Sequence, residues 1–308
     1  MPNDFSLLAA SNIELMSEHA ESERDNWRLL RKLDLPETIN RRHTDNIRHG
    51  ITVDVETTGL STQEDEVVQI AILPFTYDPE FNMVLEVDHA NKLEALREPG
   101  IPMSEEASLV TGITDEMLIG HSIDPEVISR LVGQSDLIIA HNSSFDRPMV
   151  EKLWPIFQTK PWGCSLTSID WLREGYSAGK LDYLGMQFGW FYDGHRALAD
   201  CEACLALLAQ DLPKSARSVL SLVREAAARK QYLIPAYGAP FDMKDLLKQR
   251  GYRWRPDNLA NGKVWWTICD DVDAEKNWLQ NEIYRSNRHL NAIDISALNR
   301  FSERVWEF

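Results

Sequence analysis

Asp54 and Glu56 stand two residues apart at the end of the run Ile51-Thr52-Val53-Asp54-Val55-Glu56. In a strand alternate side chains share a face, so Thr52, Asp54 and Glu56 point one way and Ile51, Val53 and Val55 the other. Carboxylates at i and i+2 lie roughly 7 Å apart, and like charges so placed raise each other's cost of ionisation. A hard divalent cation removes that cost, and Mg²⁺ or Mn²⁺ prefers carboxylate oxygen. The pair alone fits equally well an edge strand with a solvated acidic face, so further acids must decide. Asp146 falls at the N-terminus of a helix, where the positive end of the dipole keeps a carboxylate ionised. Asp200 shares a helical face with Cys204, Leu207 and Leu208, and an acid on an apolar face needs a partner such as a metal. His195 precedes that helix on a glycine-bearing loop, free to swing over the same site; alone it would read as a surface histidine. Four carboxylates and an imidazole match the two-metal scheme, in which cations about 3.5–4 Å apart hold the attacking and leaving oxygens of a phosphodiester. An imidazole, with an ordinary pKa of about 6.5, suits removal of a proton from water at neutral pH.

The elements that must position these residues are legible in outline. After the Asp54 strand, Val67 to Phe75 and Met83 to Val87 read as strands around an Asp78-Pro79 turn, an antiparallel meander. Ser104 is expected to cap a helix over 105–110, Thr114 one over 115–118, and Asp124-Pro125 to open another. Leu137 to Ala140 has the unbroken apolar character of a central strand covered on both faces. Ser143 or Ser144 then caps the helix that carries Asp146, with Pro148 tolerated in its first turn. Upstream, helical spacing runs from about Phe5 to Leu33 and ends at Pro36. The cluster Arg41-Arg42-His43 with Arg48-His49 reads as a solvated linker or as phosphate contacts beside the site.

The chain has 308 residues, 44% of them hydrophobic, enough for one large domain and a smaller one. No apolar run approaches the ~20 residues that span a bilayer, and the N-terminus lacks the order of a signal peptide. Cys164, Cys201, Cys204 and Cys269 are scattered, with no second pair to complete a zinc site, so buried thiols in a reducing, cytoplasmic setting are expected. The formal charge of −16 argues at first against a polyanionic partner. Its distribution is uneven: residues 214–269 carry eleven Lys/Arg against four Asp/Glu. That basic stretch is read as a helix to about Gln231, then Tyr232 to Pro235, and a helix from Phe241 to Arg250 ended by Gly251. A hairpin follows, Tyr252–Pro256 with Lys263–Ile268 across 257–262, and then a helix from Ala274 to Tyr284. The tail from Asn287 to Phe308 is expected to pack as a last helix or to bind a partner. Trp254, Trp265 and Trp266, beside Arg250, Arg253, Arg255 and Lys263, either stack bases and neutralise phosphates or fill a small core.

Asp54-Val55-Glu56-Thr57-Thr58-Gly59-Leu60 resembles the first motif of the DEDDh (DnaQ-like) exonucleases, the family of the proofreading subunit of bacterial DNA polymerase III. His141-Asn142-Ser143-Ser144-Phe145-Asp146 is similar to the second motif. His195 with Asp200 is similar to the third, with the five-residue step of the His subclass, and Val110-Thr111-Gly112-Ile113-Thr114 resembles the connecting segment. The resemblance covers roughly residues 48–212 and lacks no motif residue. It implies an α/β, RNase H-like fold: a mixed five-stranded sheet flanked by helices. Around it the chain divides into an N-terminal helical extension (1–47), the exonuclease domain (48–213) and a small basic, Trp-rich α+β accessory domain (214–308). Two Mg²⁺ or Mn²⁺ ions are implied on Asp54, Glu56, Asp146 and Asp200, with His195 as general base and Glu56 as a second catalytic group. Thr57, Thr58, Gly59 and Leu60 are implied to contact the terminal nucleotide, with His141, Asn142 and Phe145 on the substrate side; Thr57-Thr58-Gly59 is otherwise a plain turn. The implied activity is release of 5′-mononucleotides from single-stranded DNA 3′ ends, with a replication or repair protein as partner. RNA 3′ ends are the alternative substrate, and a binding protein using the domain as a scaffold is the alternative class.

Overall fold

The computed structural model describes residues 28–307. Most of the helix expected from Phe5 to Leu33 lies outside them. Where that segment is described it is extended: β1 (Arg31–Lys32) pairs in parallel with Trp190–Phe191.

The main sheet is built from β2 (Arg48–Thr57), β3 (Val67–Asp78), β4 (Met83–Val87), β5 (Leu93–Leu96), β6 (Leu137–Ala140) and β7 (Trp162–Cys164). Strand order is β4-β3-β2-β6-β7, with β5 beside β4 on the same edge of β3. The first three strands are the expected antiparallel meander, while β2–β6 and β6–β7 are parallel, giving the mixed RNase H-like sheet. It has six strands where five were expected. Leu93-Glu94-Ala95-Leu96 lacks β-branched residues and is mostly half-exposed, so neither propensity nor alternation marks it.

The alternation read into β2 is borne out. Ile51, Val53 and Val55 bury themselves against the helices Pro125–Gln134 and Ser143–Leu153. The helix Ala197–Leu208 crosses the opposite face, where the Thr52 hydroxyl donates to the Cys201 carbonyl at 3.1 Å. Ser104 caps its helix through the Ala107 N–H and Asp124 through the Glu126 N–H, as expected. Thr114 is an N-cap by position without a side-chain bond. Neither Ser143 nor Ser144 caps the Ser143–Leu153 helix. Its N-cap is Asn142, at φ 111° with no capping bond, because Ser143 Oγ is drawn to the Gly163 carbonyl at 2.6 Å.

A second sheet is antiparallel throughout. It comprises β9 (Gln231–Ala236), β10 (Arg253–Arg255), β11 (Val264–Cys269) and β12 (Ile293–Ile295), in the order β10-β11-β9-β12, the label β8 being kept for Trp190–Phe191. The expected 252–268 hairpin is β10–β11. The tail differs from a last helix: it forms β12 and a short 3₁₀ turn, Glu303–Trp306. Trp266 meets Trp306 edge to face in the small core, whereas Trp254 stays 48% exposed against Trp265. No helix among the described residues is long and apolar enough to cross a membrane.

Candidate active site

Strands β2 and β6 run parallel, but their pairing stops at Thr52–Ile139. Beyond it the C-terminal end of β2 stays paired with β3 alone, as far as Thr57, and its other edge is open. Asp54 and Glu56 stand on that end. The Ala197–Leu208 helix, laid over the same face, brings Asp200 to them, and each of the three offers an oxygen within 4.8 Å of the others. Asp146 lies outside this tight group. It is buried, and its Oδ1 accepts from the Val55 N–H at 3.3 Å, which ties the first turn of its helix to β2.

Burial is the largest cause of the electrostatic strain here. It raises Asp54 well above its ordinary value, and the neighbouring charges of Asp146, Asp200 and Glu56 push in the same direction. Glu56 is pushed up to about 7 by burial and by Asp200, against a smaller opposing effect of Arg196. Asp146 and Asp200 are raised for the same first reason, although hydrogen bonds to each carboxylate pull the other way. Among the described residues no Lys or Arg forms an ion pair with any of the four. Converging hard oxygen donors that are costly to ionise together and form no ion pair with Lys or Arg among the described residues fit a divalent metal ion.

His195 is exposed on its loop with φ at 59°, next to Gly194. Its own charge acts to lower Asp200, so the imidazole stands within electrostatic reach of the cluster. Thr57 and Thr58 are buried and turned inward: the Thr57 hydroxyl donates to the Gly59 carbonyl at 2.5 Å and that of Thr58 to Asp65 Oδ1 at 2.7 Å. A side chain at Gly59 would strike the Asp65 carboxylate, whose nearest oxygen is 2.6 Å from where a Cβ would be. The turn therefore presents Leu60, 89% exposed, to solvent. Phe145 is half-buried against the core. Asn142 lends its side-chain oxygen to Ser144, and His141 is taken up internally by Ser165 Oγ and the Gly179 carbonyl, both at 2.8 Å. Both ring nitrogens of His141 thus have partners within the protein, and burial lowers it to about 4. The sequence reading missed Tyr192, whose hydroxyl donates to Asp200 Oδ1 at 2.7 Å. Its only signal was a phenol in the loop that carries His195.

The model of the RNase_T family, described as exonuclease, matches residues 51–208, which contain all of these side chains. The chain belongs to the RNase_T exonuclease family. Among curated relatives, this chain is similar to the PolC-type DNA polymerase III of Listeria monocytogenes, 31% identical over 173 residues, 54% of this chain and 11% of the relative. The PolC-type enzyme of Bacillus subtilis is 30% identical over 178 residues, again 54% of this chain and 12% of the relative. The chain thus spans about a tenth of the length of the curated relatives it matches. Similar solved structures include Exonuclease X in complex with 5′ overhanging duplex DNA, at TM-score 0.40 and 23% identity over 56% of this chain and 99% of that one. Escherichia coli Exonuclease I with a dA16 oligonucleotide has TM-score 0.42 and 16% identity over 61% and 48% of the two chains.

Proposed function

We propose that this exonuclease is metal-dependent, works 3′→5′, and releases 5′-mononucleotides from single-stranded DNA. The observation that carries the reading is the convergence of Asp54, Glu56 and Asp200 from two elements far apart in sequence, with Asp146 and His195 beside them. Asp54, Glu56, Asp146 and Asp200 would hold two Mg²⁺ or Mn²⁺ ions, which when bound supply a lowered water pKa and charge neutralisation at the phosphodiester. The chain's own part is geometric and basic. Tyr192 and the Arg196 N–H fix Asp200 through its two oxygens, at 2.7 and 3.1 Å. The Thr57–Leu60 turn receives the terminal nucleotide, with Phe145 at its flank. His195 takes the proton from the attacking water, and its exposed loop lets it do so without displacing a packed element.

Residues 48–213 carry this chemistry, and residues 214–308 guide the strand. What supports the guiding role is a surface that pairs aromatic rings with cations: Lys244 over Phe241 (4.3 Å) and Lys248 over Trp265 (5.9 Å), with Trp254 tilted at 60° beside Trp265. Rings of this kind accept bases in any order, while the cations meet phosphates. Side-by-side digestion of labelled single- and double-stranded DNA and RNA, read for direction and product size, tests the assignment. Mononucleotides lost stepwise from DNA 3′ ends are expected. Faster loss from RNA moves the substrate to RNA; products longer than one nucleotide reject the exonucleolytic direction altogether.

A second expectation concerns stability. The metal-free fold holds Glu56 at about 7, whereas an unfolded glutamate titrates near ~4.3. Protons are therefore bound more tightly by the folded state between these values, so the stabilisation is complete at low pH and disappears as pH rises through 7. The metal-free Tm should fall from pH 5 to pH 8 more than that of a Glu56→Gln chain. Mn²⁺ should restore it at pH 8, by about 2.7 kcal/mol at a hundredfold excess over Kd. Thermal denaturation with and without Mn²⁺ at both pH values measures this, and no Mn²⁺ effect at pH 8 would remove the metal assignment.

A further inference from the structure

We propose that the C-terminal segment 297–304 is a clasp on the metal centre, with Arg147 as the positioning residue through which it holds Asp146. The inference rests on the reading of Asp146 as a metal ligand. It begins from a weakness in the Ser143–Leu153 helix. Asn142 supplies no capping bond, and Pro148 has no N–H to close the turn before it. The turn that carries Asp146 is thus poorly held by its own backbone and needs support from outside.

Arg147, the next residue, supplies that support. Its side chain has no exposure, and each of the three guanidinium nitrogens has an acceptor. Nε donates to Glu151 at 2.7 Å, one terminal nitrogen to the carbonyls of Ala297 (3.1 Å) and Arg300 (2.8 Å), and the other to the carbonyl of Leu298 (2.6 Å). Three of the four acceptors are backbone oxygens about 150 positions away in the sequence. The same segment reaches Glu151 through Ser302 at 2.5 Å and Arg304 at 3.3 Å, and Ala297 also accepts from the N–H of Trp162 on the edge strand β7. On its far side the segment is held to the second sheet: Arg255 pairs with Glu303 at 2.5 Å and lies over Trp306. A fully buried cation without its acceptors is strongly unfavourable, so the first turn and the tail must be placed together. Displacing residues 297–304 therefore loosens the turn that carries Asp146, whose carboxylate also accepts from the Val55 N–H at 3.3 Å.

The test uses the full-length chain. Arg147→Lys keeps the charge opposite Glu151 but loses the planar fork that spans three carbonyls. Mn²⁺ affinity by calorimetry is expected to fall about 10- to 100-fold, the range for losing a group that orients a ligand, with KM for a single-stranded oligonucleotide unchanged. Ser302→Ala, a milder change, should accelerate hydrogen exchange at the amides of residues 143–147 without altering that of the Ala197–Leu208 helix. Wild-type Mn²⁺ affinity in Arg147→Lys overturns the proposal, and so does unchanged exchange in Ser302→Ala should the first variant not fold. Asp146→Asn separates the two readings. Normal Mn²⁺ affinity there overturns Asp146 as a ligand, whereas its loss beside normal affinity in Arg147→Lys overturns the clasp alone.

Discussion

Replacing Asp54 or Asp200 by alanine is expected to abolish divalent-ion-dependent degradation of a labelled oligonucleotide while the protein remains folded. Each contributes one of the three oxygens that lie within 4.8 Å of one another, so losing either leaves the centre without the donors that neutralise a cation. The two variants should differ in stability. Every influence on Asp54 (burial, then Asp146, Asp200 and Glu56) opposes its ionisation, so its removal relieves the metal-free fold. Asp200 accepts from the Tyr192 hydroxyl and the Arg196 N–H, and alanine there leaves a half-buried phenol unpaired, at a cost of about 1–3 kcal/mol. Metal-free Asp54→Ala should therefore melt at or above the wild-type temperature, and Asp200→Ala below it. Both should lose the Mn²⁺-induced rise in Tm. Retained turnover in either would mean that the cation, if one binds, is held elsewhere.

How much of this could be read in the sequence follows from the range of the interactions concerned. The alternation around Asp54 and Glu56 and the helical face of Asp200 are local patterns. Each states which side of an element looks inward, and the sheet and the Ala197–Leu208 helix meet as those patterns require. The 252–268 hairpin was legible for the same reason, with Arg253 facing Trp266 across it. Long-range pairings of backbone leave no such mark. Nothing in Ala297-Leu298-Asn299-Arg300 announces that its carbonyls converge on a guanidinium, so the tail read as a last packed helix or a partner-binding segment. Ser143 was misread because its hydroxyl donates to the Gly163 carbonyl and its oxygen accepts from no backbone N–H of the helix, as a cap would. The motif placed His141 beside the substrate but said nothing of its partners Ser165 and Gly179, which lie 24 and 38 positions away and are brought to it only by packing.

His195→Ala is expected to lower kcat by about 10²–10⁴, the range for losing a positioned general base, with KM little changed. The loop geometry makes the control as informative as the variant. At φ 59° the residue sits in left-handed backbone, which alanine adopts reluctantly and asparagine tolerates. A rate lost because the loop shifted would recover in His195→Asn, whereas a rate lost with the imidazole would not. Added free imidazole should restore part of the activity of His195→Ala, because the exposed loop leaves room for it over Asp200. Calorimetric Mn²⁺ affinity should stay near wild type in both variants, which sets this residue apart from the four carboxylates. An unaltered rate in His195→Ala would move the proton transfer to another group of the cluster, Glu56 first, which burial and Asp200 push up to about 7.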